Sequence, residues 1–122
     1  MLEDTRALLS KLPVAIVLST EPGVLRWASP RALELLGLPI DQLENRLLLD
    51  IVHPDDRRQA AARVGGLYAG TSAPPIPYRI LRANGTLVEF DCESVLAEID
   101  GEGYIITVLT NVREVGAAGA TR

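Results

Sequence analysis

The chain has 122 residues, 48% of them hydrophobic and 23% charged, a balance typical of one globular domain and not of a disordered or fibrous segment. Its formal net charge of −4 offers no electrostatic basis for binding nucleic acid or an anionic membrane. No apolar run approaches the roughly 20 residues of a membrane-spanning helix, and the first residues lack the pattern of a signal peptide. The single cysteine excludes an internal disulfide, so the composition favours a cytoplasmic protein.

The first part of the chain is predicted to form a helix and a β-hairpin. Residues 2–12 carry leucines at helical spacing among charged side chains, which predicts a short amphipathic helix ended by Pro13. Two apolar runs, 14–19 and 24–28, follow with the turn-forming segment 20–23 between them. This pattern is typical of two paired strands.

A short helix is predicted next, because its start and stop signals stand at the right distance. Ser29 supplies a capping hydroxyl, Pro30 occupies the first helical position and Gly37 is a typical C-terminal stop. A further short turn is predicted from Asp41, with Glu44 at capping-box spacing.

The longest helix is predicted over residues 54–68. Asp55 and Asp56 fall in its first turn, where carboxylates complement the helix dipole. Gly65 and Gly66 lie inside the pattern, and each glycine costs about 1 kcal/mol relative to alanine. We expect these two glycines to face the sheet and to leave room there.

The last third of the chain is predicted to be an antiparallel meander. Residues 76–81 form one strand, Asn84-Gly85 is a strong hairpin signal, and residues 88–96 alternate between apolar and acidic or polar side chains. After a turn at 100–103, the final strand over 104–112 is apolar on both faces. The predicted fold class is α+β: a five-stranded antiparallel sheet with short helices and one long helix on one face.

The two apolar faces of the last strand need two covering layers. Ile105 and Leu109 are expected on the outer face, opposite a core-facing set of four side chains, Tyr104, Ile106, Val108 and Val112. The helix over residues 2–12 is the expected cover of the outer face, from the same chain or from a partner chain. Its leucines exceed the needs of one narrow stripe, so a homodimer is expected through this surface.

Several of these junctions resemble the PAS domain, and the likeness covers about residues 2–114. The matching segments are Ser29-Pro30-Arg31-Ala32, Leu36-Gly37-Leu38, His53-Pro54-Asp55-Asp56 and Arg82-Ala83-Asn84-Gly85-Thr86. The resemblance implies an N-terminal helix over 1–12, a sensory domain over 13–114 and a tail or linker over 115–122. It also implies a non-enzymatic module of a bacterial signalling protein, attached to a kinase such as a two-component histidine kinase, a cyclase or a transcription-control domain.

Two segments depart from the pattern of the family. Ser29 stands where asparagine is commoner, so the cap there is a hydroxyl cap. The family often ends in Asp-Ile-Thr followed by an acid, and the matching place here is Asn111-Val112-Arg113-Glu114.

The surface expected to carry a dimer contact or a signal comprises Leu2, Leu8, Leu9, Leu12, Ile105, Leu109, Asn111 and Arg113.

His53 and Cys92 are the two side chains that a cofactor would use. His53 could bind haem or act as a general base, but it directly precedes a proline-led helix, and a role in fixing that turn is favoured. Cys92 could be a reactive thiol or a flavin-adduct cysteine, but its strand position favours a buried, inert side chain. Haem and flavin are therefore not expected, although an unknown small molecule is compatible with the sequence.

The acids Glu89, Asp91 and Glu93 alternate along one strand face, where they favour solubility over acid–base or metal chemistry. No spacing of histidine, cysteine and acids indicates a metal site, and no catalytic constellation is present.

Five side chains from different elements are expected to converge between the long helix and the meander: Val64, Tyr68, Tyr78, Phe90 and Cys92. They form either an ordinary core or a mainly apolar pocket in which a tyrosine hydroxyl supplies a polar group. The first alternative corresponds to a ligand-free interaction or dimerisation module, and the second to a ligand-sensing module. A small stand-alone enzyme is disfavoured because the catalytic residues are missing.

Overall fold

The computed structural model describes residues 2–20, 23–70, 77–82 and 84–117. Its helices are α1 (Leu2–Ser10), α2 (Pro30–Leu36), α3 (Ile40–Leu43) and α4 (Arg57–Tyr68), with 3₁₀ turns at Leu48–Asp50 and Pro54–Asp56. Its strands are β1 (Ala15–Thr20), β2 (Val24–Ala28), β3 (Pro77–Leu81), β4 (Thr86–Ile99) and β5 (Glu102–Ala117). No helix in this described part of the chain is long and apolar enough to cross a membrane.

The strands form one antiparallel sheet in the order β2-β1-β5-β4-β3. The predicted α+β class, the five strands and the N-terminal helix are confirmed. The segment predicted as a tail from residue 115 begins inside β5, which continues to Ala117. Residues 118–122, the middle of the first hairpin turn at 21–22 and the loop at 71–76 lie outside the described residues.

The buried hydroxyl of Ser29 fixes the junction between the first hairpin and α2. Its Oγ accepts the backbone N–H of Ile16 at 3.0 Å and that of Ala32 at 3.3 Å, and it donates to the carbonyl of Val14 at 3.1 Å. The Ser29 N–H donates to the Ile16 carbonyl at 2.8 Å. One side chain therefore joins the start of β1 to the first turn of α2, and the predicted hydroxyl cap is confirmed.

The predicted stop of α2 is confirmed as well. Gly37 has φ of +68°, a left-handed conformation that glycine adopts without strain, and its N–H donates to the Leu33 carbonyl. Arg82 packs against Gly37 and donates from Nε to the Leu35 carbonyl at 2.9 Å, which fixes the end of α2 to the β3–β4 turn. By contrast, the capping box predicted at Glu44 does not form, since α3 starts after Pro39 with no side-chain cap.

The segment before α4 is held by His53 and Asp56. His53 Nδ1 accepts the N–H of Asp55 at 3.1 Å. The helix start predicted at Pro54 is a 3₁₀ turn, and α4 itself begins at Arg57. The Asp56 carboxylate accepts three bonds from Arg79 of β3, from the backbone N, Nε and Nη2 at 2.9, 3.1 and 2.9 Å. Burial raises the pKa of Asp56, but the hydrogen bonds and charge of Arg79 outweigh burial, and the pKa is lowered overall.

The predicted assignment of the two faces of β5 is wrong. Ile105 is buried against Val64 and Leu67 of α4, and Leu109 belongs to the main core, so both side chains face the helical layer. Because successive strand residues point to opposite faces, Tyr104, Ile106 and Val108 lie on the outer face. Val112 packs against the inner core, because the register of β5 shifts beside Asn111. Both sets are apolar, so hydrophobicity could not distinguish the faces.

The outer face of the sheet is covered in part by α1. Ile16 and Leu18 of β1, which pair with Val108 and Ile106, are almost fully buried. Arg6 of α1 donates from Nη2 to the Arg26 carbonyl of β2 at 3.1 Å. The Tyr104 hydroxyl on the same face donates to the Glu102 carboxylate at 3.1 Å, and burial together with this bond raises its pKa. The predicted cover of Ile105 and Leu109 by α1 is therefore wrong, and the apolar side chains buried on the outer face are Ile16 and Leu18.

We expect Ser29→Ala to lower the free energy of unfolding by about 2–4 kcal/mol. The substitution removes the cap of α2 and leaves the buried N–H of Ile16 and the partly buried carbonyl of Val14 without their bond to the hydroxyl. Urea unfolding followed by circular dichroism would measure the change. Ser10→Ala is the matched control, because the Ser10 hydroxyl is exposed and bonds only within α1. Equal stabilities of the two variants would contradict the role of Ser29.

Candidate ligand site between the long helix and the sheet

A cavity lies between the inner face of the sheet and the helical layer. Its volume is about 60 Å³, taken as the space that the centres of water molecules can occupy. An apolar protein cavity of about 150 Å³ holds benzene, so this one suits several waters or a ligand with few heavy atoms. The sheet contributes side chains from all five strands, among them Val17, Ser19, Leu25, Tyr78, Ile80, Phe90, Cys92, Ser94, Ile105, Thr107 and Leu109.

The opposite wall comes from the helical layer and is apolar apart from one residue. Leu36 of α2, Leu43 of α3 and Val52 close one part of the cavity, and α4 closes the rest with Ala60, Arg63, Val64 and Leu67. These α4 positions share one face because residues three and four apart are neighbours on a helix. Small and large apolar side chains therefore surround most of the space.

Arg63 is the charged group in the wall. Arg63 is 8% exposed, and its Nη2 donates to the Cys92 carbonyl at 3.0 Å. The Tyr78 hydroxyl is nearby and donates to the Gln59 carbonyl at 3.5 Å, the outer limit of a hydrogen bond. A second polar point is the pair formed by the Ser94 and Thr107 hydroxyls, 2.9 Å apart. The polar groups of the cavity are thus few and localised.

Burial controls the protonation of the two weak acids in the wall. Burial raises the pKa of the Tyr78 hydroxyl, and the neighbouring Arg63 guanidinium only partly offsets this effect. Burial likewise raises the pKa of the Cys92 thiol, again against the charge of Arg63. Both groups are therefore protonated at neutral pH. Tyr78 remains a hydrogen-bond donor, and Cys92 lacks the thiolate that a nucleophile requires.

Four of the five predicted pocket residues line this cavity: Val64, Tyr78, Phe90 and Cys92. The fifth, Tyr68, lies outside it and donates its hydroxyl to the Gly103 carbonyl at 2.8 Å. Sequence reasoning missed Arg63, although position 63 lies on the same helical stripe as Ala60, Val64 and Leu67. The periodicity could have indicated it, but a charged residue is ordinarily expected on the exposed side of a helix.

The prediction that Gly65 and Gly66 face the sheet and leave room for a cavity is wrong. Gly65 is exposed, and a Cβ atom added to it would meet no atom within 4 Å. Neither Gly65 nor Gly66 contributes to the cavity wall. The small side chains in the wall belong instead to other positions, among them Ala60, Cys92 and Ser94.

The remaining candidate residues lie away from the cavity. His53 caps the turn before α4, and its Nδ1 is occupied by the Asp55 N–H. Glu89 and Asp91 lie on the other face of β4, where Arg113 donates to Glu89 Oε1 at 2.6 Å from Nη2 and Asn111 donates to Asp91 Oδ2 at 3.0 Å. Among the residues that the structure describes, no group of three or more histidine, cysteine and acidic side chains could hold a metal ion.

The residues predicted for a dimer or signal surface are divided between the two faces. Leu8 and Leu12 of the N-terminal segment are exposed and Leu9 is half-buried, while nothing is described of the Leu2 side chain. Ile105 and Leu109 belong to the inner face, as described above. Asn111 and Arg113 are exposed and bind the acidic residues of β4.

The model of the PAS fold family matches residues 25–110, which include the cavity walls and most of the sheet. The chain belongs to the PAS fold family. Its resemblance to that family is thus confirmed, and membership supports a role as a sensory signalling module. Among curated proteins, none matches the sequence.

Solved PAS domains have the same fold at low sequence identity. A PAS domain from Desulfitobacterium hafniense has a TM-score of 0.72 at 16% identity, covering 89% of this chain and 99% of that chain. A domain of a sensor histidine kinase/response regulator from Geobacter sulfurreducens has a TM-score of 0.72 at 18% identity, covering 88% and 90%. The Drosophila melanogaster Cycle PAS-B domain with bound ethylene glycol has a TM-score of 0.64 at 13% identity, covering 83% and 99%.

We expect Gly65→Ala to raise the free energy of unfolding by about 0.5–1 kcal/mol. The site is an exposed helix interior where an added methyl group meets no neighbour, and alanine restricts the unfolded chain. Thermal unfolding would measure the gain. Gly37→Ala is the control and should destabilise the domain, since φ there is +68°. A loss of stability in Gly65→Ala would show that Gly65 faces the protein interior.

Proposed function

We propose that this domain is a small-molecule sensor that regulates an attached output domain in the cytoplasm. The observation that carries the proposal is the cavity between α4 and the sheet, which has mainly apolar walls and localised polar groups. Ligand sites are typically concave, mostly apolar and provided with a small number of placed polar groups. A core serving only stability would be expected to fill this space, since voids in close-packed interiors are costly.

Repacking of α4 against β5 is the proposed route of the signal. Val64 and Leu67 of α4 contact Ile105 of β5, and all three line the cavity. A ligand that enters between these elements changes their packing, because a close-packed interior transmits small displacements. β5 pairs with both β1 and β4, and α1 is bonded through Arg6 to β2, the neighbour of β1. A shift of β5 would therefore reach the covered outer face.

The proposed ligand is small, and neither haem nor flavin is proposed as a cofactor. The open space of about 60 Å³ is well below the size of either group. His53 is engaged in a cap away from the cavity, and the Cys92 thiol is buried and protonated. Absorption in the visible range by the purified domain would contradict this part of the proposal.

Ala60→Leu should abolish ligand retention, because the larger side chain enters the cavity from α4. Native mass spectrometry of the domain, after exposure to a metabolite extract, would show a bound small molecule in the wild type and the bare chain in the variant. Overpacking costs about 1–3 kcal/mol, so circular dichroism should first establish that the variant folds. Ala61→Leu is the matched control, since Ala61 is exposed on the same helix. A wild-type domain that retains nothing from the extract would contradict the sensor function.

The second candidate function is a ligand-free interaction module that forms a homodimer through the outer face. The observation in its favour is the exposure of large apolar side chains in the single chain, with Leu8 64% and Val95 59% exposed. Val95 pairs with Ile106 on the same face as α1. An isologous contact between two copies would remove these side chains from water.

Sedimentation equilibrium at micromolar concentration should detect this dimer. Val95→Glu should convert it to a monomer, because burying a carboxylate in an apolar contact is strongly unfavourable. Leu81→Glu is the control, since Leu81 is similarly exposed but lies on the edge strand β3. A strictly monomeric wild type would mean that α1 serves only its own chain.

A further inference from the structure

We infer that the cavity recognises a small uncharged vicinal diol, with one oxygen held by the Ser19 hydroxyl and the other by the paired hydroxyls of Ser94 and Thr107. This inference rests on the proposed function, because it requires the cavity to be the ligand site. It adds the chemical class of the ligand and the three side chains that recognise it.

The first argument is a buried hydroxyl in the cavity wall that the protein does not satisfy. Ser19 of β1 is 3% exposed, and its side chain lines the cavity. In the part of the chain that the structure describes, its hydroxyl has no hydrogen-bond partner. A buried hydroxyl without a partner costs free energy, because it has lost its bonds to water. A polar group inside the cavity is therefore expected to supply the missing bond.

The second argument is the remaining bonding capacity of Ser94 and Thr107. Their hydroxyl oxygens are 2.9 Å apart, either one can be the donor, and both side chains line the cavity. A hydroxyl has one O–H and two acceptor lone pairs, so one bond between two hydroxyls leaves one O–H and three lone pairs. Within the described residues, these two side chains make no other hydrogen bond. The pair can therefore both donate to a ligand hydroxyl and accept from one.

The strand register sets the distance between the two polar points. Ser19 pairs with Ile105 of β5, and Thr107 follows two residues later on the same face of that strand. Diagonal neighbours of this kind lie about 7–8 Å apart, with their side chains somewhat closer. One ligand oxygen bridges two hydroxyls only within about twice the usual bond length, about 5.5 Å. Two adjacent ligand oxygens span a longer gap, which favours a vicinal diol over an alcohol with a single hydroxyl.

The rest of the wall favours an uncharged ligand with few carbons. Arg63, the charged group of the wall, is engaged by the protein itself, through the Cys92 carbonyl and a hydrogen bond with Tyr78. Its positive charge disfavours a cation, and an anion would lose its hydration against walls that are mainly apolar. The volume of about 60 Å³ limits the ligand to a few heavy atoms.

Chemical-shift titration by nuclear magnetic resonance on the folded wild-type domain tests the inference with propylene glycol, isopropanol and lactate. Isopropanol lacks one hydroxyl of the diol, and lactate replaces it with a carboxylate. We expect the diol to bind about three- to tenfold more tightly than isopropanol, the factor that one hydrogen bond contributes, and more tightly than lactate. Ser19→Ala should weaken diol binding by the same factor and leave isopropanol binding unchanged, because its single hydroxyl can still bond to Ser94 and Thr107. Ser10→Ala is the matched control, since the Ser10 hydroxyl is exposed on α1.

The outcomes separate this inference from the function on which it rests. Isopropanol or lactate that binds as tightly as the diol, or diol binding that is unchanged in Ser19→Ala, would overturn the inference and leave the cavity as a sensor of another molecule. Absence of diol binding to a wild type that retains another molecule in native mass spectrometry would do the same. Absence of any bound molecule would overturn both and leave water as the partner of Ser19. The comparison of the three ligands uses the wild type alone, so it holds even if Ser19→Ala does not fold.

Discussion

The central strand β5 is apolar on both faces, and each face has to be shielded from water by a layer of its own. α4 shields Ile105 on the inner face, while α1, bonded through Arg6 to the Arg26 carbonyl of β2, lies on the outer side. The pairing of β5 with β1 and β4 places it in the middle of the sheet, so both layers are built around one strand. The cavity follows from this arrangement, because α4 meets the sheet through Val64, Leu67 and Arg63 and leaves space beside Cys92.

Local signals in the sequence predicted local structure well. The cap at Ser29, the stop at Gly37 and the turn at Gly85 each depend on one residue and its immediate neighbours, and the structure has all three. The face assignment of Ile105 and Leu109 failed because it depends on which set of side chains meets α4, a contact between residues far apart in sequence. Both sets are equally hydrophobic, so no local rule could decide between them.

Four residues of the candidate site were predictable because they alternate on strands or repeat on a helix, as Val64, Tyr78, Phe90 and Cys92 do. Arg63 was not predicted, since its burial depends on a carbonyl of β4 that only the folded sheet brings within reach. The acidic stripe of β4 was predicted to face water alone. In the structure it is partly neutralised by Asn111 and Arg113, the residues with which the chain departs from the common ending of its family.

The buried Cys92 thiol has a practical consequence for measuring motion in this domain. It is the one cysteine of the chain, it is 3% exposed, and burial keeps it protonated. Thiol-directed reagents attack through the thiolate, so the native chain should resist them in its folded state. A cysteine introduced at an exposed position on α1 or at the tip of the β4–β5 hairpin would then accept a spectroscopic label selectively. Pairs of such labels would report the distance between the N-terminal helix and the sheet without replacing any residue of the cavity.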